Sequence, residues 1–481
     1  MGRRGSSSLV VLINPAPLRF SSQGESIRER YPYPPLGLLS LAAQLLMHGH
    51  EVAIVDFFRE RYPSRAEFQA RLRAFSQEAA VVGLTTYTET VGAVQRIAAA
   101  VRQVWPKTLI VAGGPHATFC PDELLAGGID VVVRNEGEAA MVELLEHRHH
   151  PEAVPLSSIP GIAFRDADGR VHQTHDRPFV RNLDCLPLPP FHLLPPSVSS
   201  TNETVFVFMS SRGCPGRCVF CASRAMAGAA YRMHSAEYLA ALVWHEFERT
   251  SFDGMGVMDD TFLVDVRRLE AFCAYLDEMG LHVPWTCKSR ADTLHPRALR
   301  TLRRAGCRSI HIGVESGDDG VLKSIDKRIS LSRVLNGIVA MCANGIRPEC
   351  SFIIGHHCDS LATMERTLLL ARAIIDNDIG VAVVGVCTPL PGTPLFRRAD
   401  ELGLRLLTRD WERYDLNTPV FETDAFTADD VRRAQYYFEV GAMRGEPLDL
   451  SGTDHTDYQR LLTDFVARVR EVKGAEHTHA G

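Results

Sequence analysis

Apolar residues in the first third of the chain follow two alternating patterns. Short continuous apolar runs of strand length end in polar or glycine-containing turns, and segments with apolar residues at helical spacing follow them. These patterns predict strands at residues 9–14, 51–56, 80–85, 109–113 and 131–133, and helices at 36–48, 66–75, 91–104 and 139–147. Buried strands joined by helical crossovers indicate an α/β fold whose first domain is a doubly wound parallel sheet.

The same alternation returns after residue 200. Strands with their following loops are predicted at 204–209, 254–262, 283–292, 309–317, 349–355 and 381–386. Strand–helix units of this kind, running from about 204 to 390, predict a partial (β/α)6 TIM-like barrel that is open on one side. Its chemistry is expected at the carboxyl ends of the strands.

These patterns divide the chain into four parts. We expect a Rossmann-like domain at 1–150, a linker at 151–200, the partial barrel at 201–395 and a small helical C-terminal region at 396–481. The linker is dense in proline, which fixes φ and removes a backbone donor, and Asp168-Gly169 predicts a small hairpin within it.

Composition excludes several classes of protein. The chain has 481 residues, 45 % hydrophobic and 23 % charged, so it is long enough for two or three stable domains. A net charge of −6 argues against a nucleic-acid surface. No apolar stretch approaches the ~20 residues that span a bilayer. With twelve cysteines and no apolar signal segment at the N-terminus, we expect a reducing, cytoplasmic location and no membrane partner.

Three of the cysteines lie close together, at Cys214, Cys218 and Cys221, with the spacing C-x3-C-x2-C. Thiolates are soft ligands for zinc, copper(I) or iron-sulfur clusters. No further Cys or His follows until His234, so one coordination position stays open to a group that is not protein. The alternatives are a zinc site and three coincidental core thiols.

Phe220 precedes the last cysteine, a predicted strand precedes the motif, and strand–helix units follow it. In these features the segment resembles the signature of the radical S-adenosylmethionine superfamily. The resemblance implies that the three thiolates hold a 4Fe-4S cluster and that S-adenosylmethionine chelates the fourth iron through its amino and carboxylate groups. An electron from the cluster would then cleave the sulfonium to a 5′-deoxyadenosyl radical.

Residues 33–42 and 113–118 resemble the cobalamin-binding domain that precedes the catalytic domain in one large class of that superfamily. The resemblance implies cobalamin contacts on the strand-end loops, at Thr85, Tyr87, Gly113, Gly114, Pro115, His116 and Glu136. The motif D-x-H-x-x-G is missing, so we expect a cobalt without a histidine beneath it. Two alternatives remain: the loops are simply tight turns, or the domain is empty and structural.

The later strand ends are expected to contact S-adenosylmethionine. Either Asp259 or Asp260 would receive its ammonium, unless the two acids only cap the next helix. Arg290 would bind the carboxylate through its guanidinium fork, unless it is a surface arginine. Gly355 would allow close approach to the adenine.

A carboxylate at the end of an apolar strand is costly to bury without a partner, so Glu315 is expected to face the cofactor as a catalytic group, assisted by Ser316. The alternative is a structural pair with a neighbouring arginine. The segment 356–359 departs from the turn that the family suggests, which makes it a candidate substrate contact. A second metal on His356, His357 and Cys358 is disfavoured because adjacent residues at a strand end point apart.

The sequence leaves three functional hypotheses. The first is cobalamin-dependent methyl transfer to an unactivated carbon of a small molecule in secondary metabolism. The second keeps the radical step without cobalamin, giving dehydration, deoxygenation, epimerisation or cyclisation, such as diol dehydration of an aminoglycoside. The third is a noncatalytic metal-binding protein. Both enzymatic hypotheses require a low-potential electron donor of the flavodoxin or ferredoxin type.

Overall fold

The computed structural model describes residues 7–17, 33–59, 64–194 and 204–479, with side chains to residue 474. The chain divides into two compact units. The first unit runs to Asn202 and also takes in Ala225–Gly228 and Asp410–Glu412, and the second contains the rest.

The first unit is built on a seven-stranded sheet. Its strands are β1 (Leu9–Asn14), β2 (Glu51–Asp56), β3 (Val81–Thr85), β4 (Leu109–Gly113), β5 (Val131–Val133), β6 (Ile162–Arg165) and β7 (Val171–Gln173). The order is β2-β1-β3-β4-β5-β6-β7, and the first five strands are parallel. Every residue of β1 is buried, as a strand covered on both faces requires.

Six helices lie between the strands of this sheet. They are α1 (Leu36–Met47), α2 (Arg65–Arg73), α3 (Val91–Val104), α4 (Pro115–Phe119), α5 (Pro121–Ala126) and α6 (Glu138–His149). The strand order reverses between β1 and β3, because β2 lies on one side of β1 and β3 on the other. In doubly wound sheets the ligand crevice opens at such a switch point, outside the carboxyl ends of the strands. The predicted doubly wound sheet is confirmed.

The segment 151–200 was predicted as a linker, and this prediction is wrong for its first half. β6 pairs antiparallel with β5, and β7 pairs antiparallel with β6, so both extend the sheet of the first unit. The turn between them contains Gly169 with φ +77°, which confirms the predicted hairpin. The proline clusters that suggested a linker lie further on, after residue 185.

The second unit contains a six-stranded parallel sheet. Its strands are β8 (Val205–Phe208), β11 (Gly254–Val257), β12 (Trp285–Ser289), β13 (Cys307–Glu315), β14 (Arg347–Ile354) and β15 (Val381–Val386). They follow one another in the order of the chain, and β8 and β15 are the two edges. The predicted partial barrel, open between its first and last strands, is confirmed.

Two short antiparallel pairs accompany this sheet: β9 (Ser211–Arg212) with β10 (Arg232–Met233), and β16 (Arg405–Leu406) with β17 (Phe421–Glu422). The remaining helices are α7 (Ser223–Ala227), α8 (Ala236–Thr250), α9 (Val266–Glu278), α10 (Pro296–Arg304), α11 (Asp319–Ser324), α12 (Leu331–Cys342), α13 (Leu361–Asp376), α14 (Pro394–Arg397), α15 (Ala428–Tyr436) and α16 (Thr456–His479). Among the described residues, no helix combines the length and the apolar character needed to cross a membrane.

Two glycines that follow helices of the second unit differ in how closely the neighbouring chain approaches them. Both adopt left-handed backbone, with φ +66° at Gly280 and φ +94° at Gly306. A Cβ at Gly306 would lie 2.7 Å from the carbonyl oxygen of Val283, whereas a Cβ at Gly280 would meet nothing within 4 Å.

We therefore expect Gly280→Ala to lower the free energy of unfolding by about 1 kcal/mol, the cost of the left-handed conformation alone. Gly306→Ala adds a steric clash, and we expect a loss of about 3 kcal/mol. Urea denaturation followed by circular dichroism measures both variants. Equal losses would contradict the close approach of the chain at Gly306.

Candidate functional site

A fully buried carboxylate fixes the start of the cysteine loop. Asp259, just after β11, accepts hydrogen bonds from the backbone N–H groups of Ser210 (2.6 Å) and Ser211 (3.1 Å) and from both serine hydroxyls. Arg268 donates to the carbonyl and hydroxyl oxygens of Ser210. The chain is therefore fixed three residues before Cys214, and the β9–β10 pair continues this anchor.

Later segments of the second unit hold the loop at two further points. The N–H of Val219 donates to the carbonyl of Ile325, and the N–H of Leu395 donates to the carbonyl of Val219. Arg217 forms an ion pair with Asp326 at 3.2 Å. Because these partners lie more than 100 residues after the loop, only the folded unit gives the cysteines their arrangement.

Within the described chain, the three loop thiols do not form a compact single-ion site. Within the described chain, only His116, Cys120 and Glu123 form a trio of His, Cys, Asp or Glu ligand atoms that all lie within 4.8 Å of one another. Thiolates around one zinc ion would lie roughly 3.8 Å apart, since each Zn–S bond is about 2.3 Å. The three loop thiols are therefore not gathered around one single-ion position among the described residues.

Backbone groups also point at the sulfurs. The N–H of Gly216 donates to Cys214 Sγ (3.4 Å), and the N–H of Ser223 donates to Cys221 Sγ (3.5 Å). A Cβ on Gly216 would lie 3.2 Å from both Cys214 Sγ and Arg290 Nη1. Hydrogen bonds of this kind stabilise cluster thiolates, so the donor set and its surroundings fit the expected 4Fe-4S group.

Three charged side chains act on Cys218. Burial is the main reason that the pKa of its thiol is raised; Lys327 and Arg290 oppose this effect, and Glu315 adds to it. Lys327 Nζ donates to Glu315 Oε1 at 2.6 Å, and the two side chains are only 6 % and 9 % exposed. Burial disfavours the Lys327 ammonium, but Glu315 outweighs it, and the pKa of Lys327 is raised. Lys327 therefore keeps its ammonium charge at neutral pH.

The structural alternative for Glu315 required a protein partner, and the structure provides one, although it is Lys327 rather than an arginine. Sequence reasoning missed Lys327. It lies in the loop between α11 and α12, twelve residues after Glu315, and nothing in the local pattern distinguishes it from other surface-type lysines.

Arg290 lies inside the site. Its side chain is 13 % exposed, so the alternative of a surface arginine is wrong. Nε and Nη2 bind Asp292 bidentately at 2.9 and 3.0 Å, and Nη2 also donates to the carbonyl of Lys327. Nη1 lies beside Gly216, between the first two cysteines.

The two neighbouring acids differ. Asp259 is saturated by its serine donors, whereas Asp260 accepts one hydrogen bond, from Ser223 Oγ at 2.9 Å, and stays exposed. Neither caps the following helix, because Asp265 caps α9. Of the two candidates for the ammonium, the geometry favours Asp260.

Ser316 and Gly355 lie deeper than the other candidates. Ser316 is fully buried, and its hydroxyl accepts from the N–H of Asp318 and contacts Thr367 Oγ1. It therefore shapes the turn after Glu315.

Gly355 has φ +74°, and a Cβ there would lie 3.2 Å from Val431 Cγ2 in α15. The residues 356–358 form no ligand trio.

In the first unit, the carboxyl ends of β3 and β4 lie side by side, with Thr85 paired to Gly113. Tyr87 lies just after β3, and Gly114 and Pro115 follow β4. A Cβ on Gly114, whose φ is +98°, would lie 3.0 Å from Thr85 Oγ1. The adjacent Thr86 is fully buried, and its hydroxyl has no partner among the described residues. Tyr87 is 47 % exposed. Close-packed loops with an unsatisfied hydroxyl and an exposed aromatic ring fit a flat polar ligand.

The other two candidates of this unit bind protein groups. His116 is fully buried, with Nδ1 3.3 Å from Thr88 Oγ1 and Nε2 3.3 Å from Glu123 Oε2. Burial lowers its pKa, against the effect of Glu123. Trp411 also donates to Glu123. With both nitrogens engaged, His116 is not placed to ligate cobalt. Glu136 Oε2 accepts from the N–H of Val180.

Each of the two units contains a match to a known family. The B12 binding domain family matches residues 28–145, and the radical SAM superfamily matches residues 208–371. An uncharacterised methyltransferase of Pyrococcus horikoshii is 29 % identical over 83 % of this chain and 85 % of its own length.

Two further relatives span most of the chain. An anaerobic magnesium-protoporphyrin IX monomethyl ester cyclase of Rubrivivax gelatinosus is 27 % identical over 86 % of this chain and 74 % of its own length. The solved structure of the radical S-adenosylmethionine methyltransferase TsrM from Kitasatospora setae, with cobalamin and a [4Fe-4S] cluster bound, has a TM-score of 0.70 at 15 % identity, over 99 % of this chain and 100 % of its own. The chain is a radical S-adenosylmethionine enzyme and belongs to the branch of that superfamily with an N-terminal B12-binding domain.

Proposed function

We propose that the protein binds a 4Fe-4S cluster, S-adenosylmethionine and cobalamin, and transfers a methyl group to an unactivated carbon of a small molecule. The observation that carries the proposal is the coexistence in one chain of a B12-binding domain and a complete cysteine loop. The reduced cluster supplies the electron that cleaves S-adenosylmethionine, and cobalamin supplies a carrier for the methyl group. The uncharacterised methyltransferase of Pyrococcus horikoshii, which matches most of this chain, supports methyl transfer as the reaction class.

The residues of the second unit have separate roles under this proposal. Cys214, Cys218 and Cys221 would hold the 4Fe-4S cluster through their thiolates. Arg290 is held by Asp292 with Nη1 beside Gly216, so its fork can orient the carboxylate of S-adenosylmethionine next to the loop. Asp260 is the acid that remains for the ammonium.

The Glu315 carboxylate is ion-paired rather than free. It adopts φ +71° at a β-bulge, a conformation that costs free energy for a residue other than glycine. This geometry keeps its carboxylate on Lys327, beside Cys218. We infer that the pair holds the Lys327 ammonium beside Cys218, where its charge favours the thiolate.

Cyclisation without methyl transfer is the second candidate. The cyclase of Rubrivivax gelatinosus, which matches over most of this chain, supports it. Dehydration and epimerisation belong to the same group of reactions, in which the first unit would serve another purpose. Iron and cobalt contents distinguish this group from the main proposal.

The first prediction of the proposal concerns cofactor content and products. We expect protein from cells fed hydroxocobalamin, purified without oxygen and reconstituted, to contain about four iron atoms per chain and stoichiometric cobalt. With a low-potential reductant and S-adenosylmethionine labelled in its methyl group, it should form both 5′-deoxyadenosine and S-adenosylhomocysteine, quantified by mass spectrometry. Iron without cobalt, with 5′-deoxyadenosine as the sole nucleoside product, would instead support the second candidate.

The second prediction concerns the cysteine loop. Cys214→Ala, Cys218→Ala and Cys221→Ala should each lose the cluster, because each removes one of three protein ligands. Cys185→Ala is the matched control, since Cys185 is an exposed free thiol in the first unit. Iron analysis and visible absorption after reconstitution compare the four variants. A single loop variant that keeps a full cluster and turnover would defeat the proposal.

The third prediction concerns the buried pair. Lys327→Met leaves the Glu315 carboxylate buried without its cation, and we expect a loss of about 3 to 5 kcal/mol in the free energy of unfolding. Adding Glu315→Leu should restore most of the loss, because it removes the unpaired charge. Arg460→Met, which breaks an exposed pair with Asp457 at 3.0 Å, should leave the urea midpoint unchanged. Additive losses in the double variant would rule out a direct Glu315–Lys327 interaction.

A further inference from the structure

The inner face of the partial barrel is polar along three neighbouring strands. On β12, β13 and β14 every second side chain is buried, and the side chains between them stay partly exposed. In closed barrels, bulky branched side chains fill the interior. Here six of the partly exposed positions carry polar side chains instead: Thr286, Lys288, Ser309, His311, Glu349 and Ser351. The interior of this barrel is therefore lined with groups that can hydrogen-bond a ligand.

This face also carries the buried pair beside the cysteine loop. A Cβ on Gly313 would meet Glu315 Oε1 and lie 2.9 Å from Lys327 Nζ, so the pair covers the face to which Gly313 points. His311 precedes Gly313 by two residues in β13, so its side chain points to the same face, roughly 7 Å further from the carboxyl end of the strand. Its Nε2 lies 3.2 Å from Ser351 Oγ on β14.

Three of the polar side chains form one row across the sheet. Lys288 pairs in register with His311, and His311 pairs in register with Glu349. Neighbouring strands lie about 4.8 Å apart, so the two ends of the row are roughly 10 Å apart at the backbone. The row therefore places an ammonium at one end, a carboxylate at the other and an imidazole between them.

The groups of the row act on one another. Burial lowers the pKa of Lys288, and the carboxylates of Asp260 and Glu349 oppose this effect. Burial is also the main reason that the pKa of His311 is lowered, and Lys288 acts in the same direction, so the imidazole is neutral at neutral pH. Asp260 is the acid proposed above for the ammonium of S-adenosylmethionine. Lys288 thus connects the row to the place where the reaction is expected.

The chemistry of the row indicates the kind of ligand that it would bind. An ammonium attracts a carboxylate and a carboxylate attracts an ammonium, and both form charge-assisted hydrogen bonds. On the edge strand β15, Val381 pairs in register with Glu349 and Val383 with Ser351, and both valines are exposed. An apolar surface next to the carboxylate end of the row suits a ligand with an apolar body.

We propose that the inner face of the barrel binds the substrate, and that the substrate is an apolar amino acid or a small molecule with a free amino acid group. Lys288 binds its carboxylate, and Glu349 binds its ammonium. This inference rests on the proposed function, because it takes the partial barrel as the place of the reaction. It adds the substrate class that the proposed function leaves open.

The test compares three matched probes on protein that has been reconstituted to its full iron content. L-leucine carries both charges, 4-methylpentanoate has the same skeleton without the ammonium, and 3-methylbutan-1-amine has it without the carboxylate. Isothermal titration measures the Kd of each probe. We expect the Kd of L-leucine to be about 10-fold lower than that of either analogue, because each analogue loses a charge-assisted hydrogen bond.

Two variants should then give opposite patterns. Lys288→Met should raise the Kd of L-leucine and of 4-methylpentanoate about 10-fold without raising that of 3-methylbutan-1-amine. Glu349→Gln should raise the Kd of L-leucine and of 3-methylbutan-1-amine without raising that of 4-methylpentanoate. A general loss of structure would weaken all three probes together, so the crossed pattern separates ligand binding from folding.

Lys323→Met and Glu401→Gln are the matched controls. Both residues are exposed in other parts of the second unit, and neither change should alter any of the three Kd values. Absence of saturable L-leucine binding, or equal affinity for the three probes, would overturn the inference. Equal losses for all probes in both variants of the row would also overturn it.

These outcomes are separable from a failure of the proposed function. If the unaltered protein, with its full iron content, neither binds nor cleaves S-adenosylmethionine, the proposed function is wrong, and the L-leucine titrations still test the row. If it binds S-adenosylmethionine but not L-leucine, only the substrate class is wrong.

Discussion

The carboxylate of Asp259 is the constraint on which the candidate site depends. A buried carboxylate is tolerated only when its oxygens are fully hydrogen-bonded, and here Ser210 and Ser211 supply backbone and hydroxyl donors together. The interaction joins the end of the second parallel strand to the segment that enters the cysteine loop. Arg268 braces the same serine from α9. A cluster-binding loop is polar and irregular, so an anchor of this kind substitutes for the regular hydrogen bonding that a strand would give.

Segments that come later in the chain than this anchor supply the other groups around the cysteines. The loop after α11 contributes a carbonyl to Val219, a carboxylate to Arg217 and the Lys327 ammonium to Glu315. Helix α14, which follows β15, contributes the N–H of Leu395. All of these groups lie in the connections that follow β13 and β15, so the parallel sheet brings them together.

The sequence predicted those parts of the protein that depend on local pattern. The parallel strands are continuous apolar runs, and the cysteine motif is a spacing within eight residues. Both can therefore be predicted from the sequence without knowledge of the folded structure. Asp259 was assigned a ligand role because its serine partners lie 48 and 49 residues earlier, where no local pattern joins them. Lys327 was missed for the same reason. The strands β6 and β7 were absorbed into a predicted linker because the prolines that follow them dominated the composition of that segment.

His116 and His356 differ in whether the fold supplies hydrogen-bond partners for a buried imidazole. Both are fully buried histidines at strand ends, and both were noticed in the sequence as possible contacts of a ligand. His116 has protein partners at both nitrogens, so the fold already accounts for it. His356 has none within the described chain, so its burial leaves both ring nitrogens without a protein partner. Burial alone does not show whether the fold accounts for a histidine; the hydrogen-bond inventory does, and that inventory exists only once the chain is folded.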